Sequence, residues 1–597
     1  MKITAAQFHE RFLNEARAMY NRVSIGEDGS VYSNGIFISM YDSSTICERA
    51  YIIAIGYSIC HEEAYAAKVR AMLDYARRLL VETNGRLHFA KETVSLCDQG
   101  RQLKVLLHAA ELVGDTEAYK WLSDVLAAWP YDEKKHRFVE RYAAGVGYPT
   151  HINGSLDVYN MLAEGAADAW CAGHLSGNRA LVERAKDSVV NFLLPGQRED
   201  GGWSYHCKRD VDVGAMSDGE DEYNYNLYLL YVLSPLLEIE EARELIAEPL
   251  MRSFDMLYDR FALGDGSMYA PVHWGWDHLW ECTLYAAVLG WRFYHWCGIQ
   301  KYSAIAARAL DWLIRADLGV GNLHCCNMTT CGLFWGTYFL DMFKDNFEVE
   351  FEGEPVTDEQ IIDTLDRTEK ILRIPPADDT HLNFYFSIYG CNTAPAIRRK
   401  INRMKFHPEH EIAEIPHEGS VTLSLPWDDP VNCAAGSAEI SYDAEGLNLT
   451  VDCERVMTNQ PYHGPTLFRG DNILLELKEG NTRTLISLTI EEGKPVIYRY
   501  SNRFRIGEDL RIFKYDIPRG WYDEKSTLTA EIADGHTRFT ARLAKEELGG
   551  ITLTEGSTLT VGLAIVCHTP YGCQFNQWGK TALETRPLPY DGKWILK

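Results

Sequence analysis

The feature that most constrains this chain is a short pattern that returns at near-even intervals. In "GGWSYH", Gly202 is followed three residues later by Tyr205. The same Gly-x-x-(Tyr/His) spacing recurs at Gly29/Tyr32, Gly85/His88, Gly145/Tyr148, Gly266/Tyr269 and Gly321/His324. Successive glycines are 56, 60, 57, 64 and 55 residues apart. Periods of this length mark repeat architectures. Each interval holds two stretches with apolar residues at helical spacing, such as "HEEAYAAKVRAMLDYARRLLVETNG" and "CDQGRQLKVLLHAAELVG". Six helical hairpins predict a closed (α/α)6 toroid over residues 1–345. The glycine supplies the turn after each outer helix. By repeat symmetry the six Tyr/His side chains are expected at equivalent heights around one opening. An Asp follows the aromatic by eight to ten residues at Asp42, Asp98, Asp157 and Asp277. It either caps an inner helix or aims a carboxylate into the funnel.

The texture changes further on. The charged stretch "EVEFEGEPVTDEQIIDTLDRTEKILRIPPADD" reads as a linker with room for one helix, within residues 346–400. Alternating runs such as "SAEISYDAEGLNLTVDC", "TRTLISLTI" and "STLTVGLAIVC" then follow, separated by Gly, Asp and Asn turns. They predict an antiparallel β-sandwich over 401–597. The fold class expected is therefore multidomain α + β, and 597 residues are too many for one ordinary core.

Charge narrows the partners. Lys and Arg number 59 against 85 Asp and Glu, a net charge of −26. With no basic patch, nucleic acid is not expected as a partner. No run of about 18 apolar residues predicts a membrane span, and the N-terminus lacks the apolar core of a signal peptide. The 15 Cys are scattered and odd in number, which fits reduced thiols and a cytoplasmic location. The oligomeric state is not legible. An aromatic content of 12% suits sugar-binding faces and aromatic-rich cores equally.

The sandwich resembles family 9-like carbohydrate-binding modules, on the segments "YDAEGLNLTVD", "FRGDNILLELKEG" and "FNQWGK". Trp578 and Tyr442 are its stacking candidates, with a core role as the alternative. The toroid resembles the six-hairpin superfamily shared by glycoside hydrolases and polysaccharide lyases. Terpene cyclases also use α/α toroids with "DGGW" turns, but the chain has no Asp-x-Asp-Asp acid motif. A toroid followed by such a sandwich implies a carbohydrate-active enzyme acting on an oligosaccharide.

Two chemistries fit. The preferred one is β-elimination on a uronic-acid sugar, which needs a base, a proton donor and groups that neutralise the substrate carboxylate. The segment "GYPTHINGSLDVYN" resembles the Asn-His-Gly-type segment of toroid lyases related to heparinases and alginate lyases, with Asn-Gly at 153–154 in place of Asn-His. The resemblance implies Asn153 on the carboxylate. His151, Tyr205, His206, Tyr223 and Tyr225 are then the acid/base candidates, with Asp157 nearby. This reading needs no cofactor. The alternative is hydrolysis by two carboxylates, drawn from Asp42, Asp98, Asp157, Asp277 and Glu281. A zinc version of it rests on Glu281 and Cys282 in "HLWECTLYAA" and on His324, Cys325, Cys326 and Cys331 in "NLHCCNMTTCG". These residues faintly resemble the zinc-dependent β-L-arabinofuranosidases, although Glu281 and Cys282 are adjacent where that family has Glu-x-Cys. Buried free cysteines are the plainer alternative. Substrate contacts are expected from Tyr32, His88, Tyr148, Trp203 and Tyr269 at the mouth, and from His273, Trp274, Trp276 and His278 in "APVHWGWDHLWE". A non-catalytic glycan-binding toroid is the reading outside enzymology.

Overall fold

The structure, a computed structural model, describes residues 1–33, 36–38, 43–83, 86–89, 93–139, 141–143, 158–204, 223–269, 279–316, 346–372, 393–406, 411–480, 482–502, 520–569, 572–583 and 592–597. They fall into two compact units, one reaching Ile361 and the other running from Ile362 to Lys597.

The described residues of the first unit include eleven α-helices: α1 (Ala6–Arg22), α2 (Ser43–Cys60), α3 (Glu63–Arg78), α4 (Leu96–Val113), α5 (Thr116–Ala127), α6 (Tyr159–Ser176), α7 (Arg179–Ser188), α8 (Tyr223–Leu233), α9 (Glu240–Phe261), α10 (Leu279–Cys297) and α11 (Gln300–Ala316). The helices α2, α4, α6, α8 and α10 touch one after another, and each packs against the helix that follows it. The result is an inner row backed by an outer row. The inner helices show why. In α6 thirteen residues are buried, among them Ala163, Ala166, Ala167, Ala169, Trp170 and Ala172, so the helix is covered on every side. The outer α3 instead buries one stripe, Tyr65, Ala66, Val69, Met72, Leu73 and Ala76. Asp115 and Asn178 cap α5 and α7 by accepting the N–H of Ala118 and Leu181. The N-terminal strand Lys2–Thr4 pairs antiparallel with Glu348–Glu350, Ile3 opposite Val349, and α11 packs against both. The start of the chain is thereby brought back to the last described hairpin. This is a helical toroid of the (α/α)6 type, with five of its inner helices among the described residues.

The outer helices α1, α3 and α5 each lead into a short β-hairpin, and tighter turns follow α7 and α9. These turns correct the phase of the sequence repeat. Gly29, Gly201 and Gly266 have φ of +75°, +94° and +98°. Each follows an Asp whose carboxylate accepts the N–H two residues ahead: Asp28 from Ser30, Asp200 from Gly202, Asp265 from Ser267. The fourth copy is thus set by Gly201, not Gly202. Ser204, not Tyr205, stands where Tyr32 and Tyr269 stand. In the third copy the hairpin pairs Tyr131–Asp132 with Arg137–Phe138, and its left-handed residue is His136 (φ +52°). Gly145 and Tyr148 come later in the chain, outside the described residues. The loose spacing rule aligned them because Gly and Tyr are common.

The second unit stacks two sheets. The smaller runs in the order Val421–Leu425, Gly436–Asp443, Gly446–Cys453, His536–Ala544, Thr527–Ala533. The larger runs Ile412–Ile415, Gly592–Leu596, Thr558–Thr569, Asn472–Glu479, Thr482–Glu491, Lys494–Tyr500, Gly520–Tyr522, with Gly572–Gly579 also paired to Thr558–Thr569. All described ladders are antiparallel except that between Ile412–Ile415 and Gly592–Leu596. Alternation sends Leu447, Leu449 and Val451 inward from one sheet, against Ile473, Leu475, Ile486 and Leu563 from the other. Tyr442 and Trp578 belong to this core, and the Tyr442 hydroxyl donates to the Lys597 carbonyl (2.9 Å). One helix, Asp358–Leu372, lies within the stretch 346–400 expected as a linker, and a second, Thr393–Phe406, begins there and runs past it. Arg398 joins them, donating to Asp366 (2.8 Å) and Glu369 (2.9 Å).

Candidate active site

The inner helices carry a set of charged and amide side chains inside the toroid, where apolar residues would be expected. On α6, Asn160, Glu164 and Asp168 are four residues apart and so share one face. All three are buried, Glu164 at 0% exposure and Asp168 at 3%. On α4 the same spacing puts Gly100, Lys104 and His108 on one face. The two faces meet, since a Cβ on Gly100 would lie 3.5 Å from Asp168 Oδ2 and 3.9 Å from Glu164 Cγ. Arg292 of α10 is also buried. Aromatic rings complete the surroundings. The Lys104 ammonium lies 4.8 Å from the centre of the Tyr231 ring, a favourable cation–π distance. Tyr231 and Tyr228 of α8 meet Tyr285 of α10 at 5.5 and 6.3 Å, and Tyr51 of α2 lies 6.2 Å from His108.

Burial dictates the protonation of this cluster. It pushes the Asp168 carboxyl well above the ordinary carboxylate range; the Lys104 charge offsets part of this and Glu164 adds to it. Burial thus favours the protonated form of Asp168, whose Oδ2 has no hydrogen-bond partner. Burial also lowers the pKa of His108, against the pull of Glu111, whose Oε2 is 3.8 Å from Nδ1. Its imidazole is neutral. Burial, followed by Asp168 and Glu111, pushes the Cys171 thiol up to about 12, so it is not a thiolate. Both amide atoms of Asn160 are buried without a hydrogen-bond partner. Such atoms cost about 1–3 kcal/mol each, and binding sites are where such a cost is offset by a ligand.

None of these residues was nominated by the crossing pattern. The signal that could have found them is the four-residue spacing of polar residues in otherwise small or apolar helical text, "YNMLAEGAADAW" and "QGRQLKVLLHAAEL".

The nominated residues fare differently. Trp203, expected to face sugar, is 1% exposed. Its indole N–H donates to the Leu193 carbonyl, while Asn226 of α8 accepts its backbone N–H and donates to its carbonyl. Its ring is core, and the residue ties the fourth turn to an inner helix. Tyr223, expected in catalysis, opens α8 but turns outward. Arg260 of α9 donates to its hydroxyl (2.9 Å) and its ring packs 4.9 Å from Phe261. Tyr225 is half-buried one half-turn on. Tyr32 lies in the strand Val31–Ser33, its ring 5.7 Å from Phe37. Tyr269 is half-buried, its N–H on the Phe261 carbonyl. His88 lies in the strand Arg86–Phe89, opposite Val81. Asp98 falls within α4 rather than ahead of it. Glu281 and Cys282 are in the first turn of α10, and Cys282 is buried. His151, Asn153, Asp157, Tyr148, Tyr205, His206, His273, Trp274, Trp276, His278, His324, Cys325, Cys326 and Cys331, with Asp42 and Asp277, lie outside the described residues. Among the described residues no group of three or more His, Cys, Asp and Glu is arranged to hold a metal ion, and no helix is long and apolar enough to cross a membrane.

No family model matches the chain, and no curated protein matches it in sequence. Solved structures do match in fold. Cellobiose 2-epimerase from Bacillus thermoamylovorans is 10% identical, with a TM-score of 0.43, covering 55% of this chain and 99% of that one. An unsaturated glucuronyl hydrolase specific for heparin is 12% identical, with a TM-score of 0.40, covering 57% and 97%. A family 9 carbohydrate-binding module from Caldicellulosiruptor kristjanssonii, in complex with glucose, is 13% identical, with a TM-score of 0.19, covering 31% and 96%. The architecture itself rests on the helix and strand order above.

Proposed function

We propose that this chain is a carbohydrate-active enzyme that cleaves glycosidic bonds by acid–base catalysis within the toroid, with Asp168 as proton donor and Glu164 as its partner carboxyl. The observation that carries the proposal is the Glu164/Asp168 pair on one face of a buried inner helix, with Asp168 biased toward its protonated form. Two neighbouring carboxyls, one of them biased in this way, are what acid–base cleavage of a glycoside can use. Lys104 supplies the compensating charge, and Asn160 offers an amide to a substrate hydroxyl. The substrate class, an oligosaccharide, is supported by the sequence resemblance of both units and by the tyrosine beside Lys104. Hydrolysis is favoured over elimination because the buried Glu164/Asp168 pair supplies the two carboxyls that it needs.

Elimination remains the second reading, favoured by the segment at 147–160. There Asn153 would neutralise a uronate carboxylate, and His151, Tyr205, His206 or Tyr225 would move the protons. A zinc-assisted variant would draw on Glu281, Cys282, His324, Cys325 and Cys326, and metal analysis of protein purified without chelators tests it. Incubation with neutral and uronic-acid oligosaccharides separates the two main readings. New reducing ends without ultraviolet absorbance support hydrolysis. An absorbing unsaturated sugar would overturn it in favour of elimination.

A further inference from the structure

Gly100 is buried in the second turn of α4, four residues before Lys104. A glycine inside a helix destabilises it relative to alanine, because the unfolded chain has more backbone freedom to lose. Two ordinary reasons to retain one do not apply. Gly100 is not among the residues with positive φ. Among the described residues, a Cβ there would meet only Asp168 Oδ2 at 3.5 Å and Glu164 Cγ at 3.9 Å, both ordinary contact distances. Alanine would fit and would strengthen the helix. What any side chain at this position would do is cover Asp168 Oδ2, the buried oxygen that lacks a hydrogen-bond partner.

We infer that Gly100 is a specificity-determining position, whose missing side chain leaves the gap through which Asp168 Oδ2 reaches an uncharged sugar oxygen, either a hydroxyl or the glycosidic oxygen. The inference rests on the reading of Asp168 as the acid. The chemical class follows from the surroundings. A substrate carboxylate in this gap would be buried between the Asp168 and Glu164 carboxyls, where a charge is costly to desolvate. A neutral oxygen instead accepts the Asp168 O–H and satisfies both partners. The gap thus favours a neutral sugar unit at the point of cleavage, and a charged unit is accommodated elsewhere on the substrate.

The test uses the full-length protein with Gly100→Ala, Gly100→Leu and Asp168→Asn. Turnover is measured on a panel of methyl glycosides with neutral and uronic-acid sugars, whose poor leaving group needs the proton donor. Thermal unfolding is followed in parallel, together with the infrared carbonyl stretch of the protonated Asp168 carboxyl. Gly100→Ala is expected to unfold at or above the parental temperature, keep the carbonyl band, and lose about tenfold in kcat/KM on neutral glycosides. Gly100→Leu is expected to lose about 100-fold or more. Parental kcat/KM in a folded Gly100→Leu variant overturns the inference. If that variant does not fold, parental kcat/KM in Gly100→Ala overturns it equally. The two levels separate cleanly: an active Asp168→Asn variant removes the acid assignment, whereas an inactive one beside fully active Gly100 variants removes only the gap. If the parent turns over none of the glycosides, both fall together.

Discussion

Asn160 places a carboxamide in the interior with neither of its polar atoms engaged. Replacing it by leucine, of similar size, removes the unmet desolvation cost. Asn160→Leu is therefore expected to unfold at the parental temperature or higher, by up to about 2 kcal/mol, while losing substrate affinity; a calorimetric scan beside a KM measurement checks both. His108 makes a pH-dependent contribution. Burial depresses its pKa, so the folded protein binds fewer protons than the unfolded chain. The contribution is fully present above the unfolded value of about 6.5 and is lost as pH falls below it. Urea unfolding between pH 8 and 5 should show a steeper loss in the parent than in His108→Gln; parallel curves would contradict this. The residues of the site were half legible in the sequence. The spacing of Asn160, Glu164 and Asp168 is plain in "YNMLAEGAADAW". What could not be read is that this face meets Gly100 and Lys104, because α6 is buried all round and its periodicity gives no inside.

At the scale of elements, the turn after each outer helix sets the repeat. In the turns at Gly29, Gly201 and Gly266 its requirement is a left-handed residue behind an Asp that bonds forward. Gly266 combines φ of +98° with the Arg308 carbonyl oxygen 2.6 Å from where a Cβ would stand. Gly264 has φ of +83° and open space around it. Gly264→Ala is expected to cost about 1–2 kcal/mol, the general penalty of left-handed backbone, and Gly266→Ala distinctly more, because a backbone atom must also move. Equal losses in chemical denaturation would contradict the account. The hairpin count and the two-helix period were legible because apolar spacing and Asn-Gly or Asp-Gly punctuation are local. The phase was not. Gly201 and Gly202 are adjacent, and in the third copy His136 takes the glycine's place, so a pattern keyed to glycine and an aromatic slipped by a residue in one copy and missed another.

At the scale of the whole molecule, the change from helical to alternating texture announced a toroid and then a sandwich. Less legible was the place of the charged stretch between them, which reads as linker because its helices are polar. Arg398 binds Asp366 and Glu369 and also lies 3.4 Å from Asp428, while the Arg399 guanidinium lies 3.6 Å from the centre of the Phe575 ring. A fragment of residues 358–597 is therefore expected to unfold at a higher temperature than one of 401–597, since the shorter piece loses both arginines with Asp366 and Glu369. Circular dichroism melts of the two fragments decide this, and equal midpoints would show that the helices add nothing to the sandwich. The central claim concerns the toroid and its buried acid. Its most direct measurement is the pH dependence of kcat/KM for oligosaccharide cleavage, compared between the parent and Asp168→Asn. A raised carboxyl pKa moves the loss of the proton donor toward higher pH, so the alkaline limb of parental activity should follow the ionisation of Asp168. Asp168→Asn should lose about 100-fold or more and release no new reducing ends above background. Parental turnover with an unchanged alkaline limb in Asp168→Asn would contradict the claim.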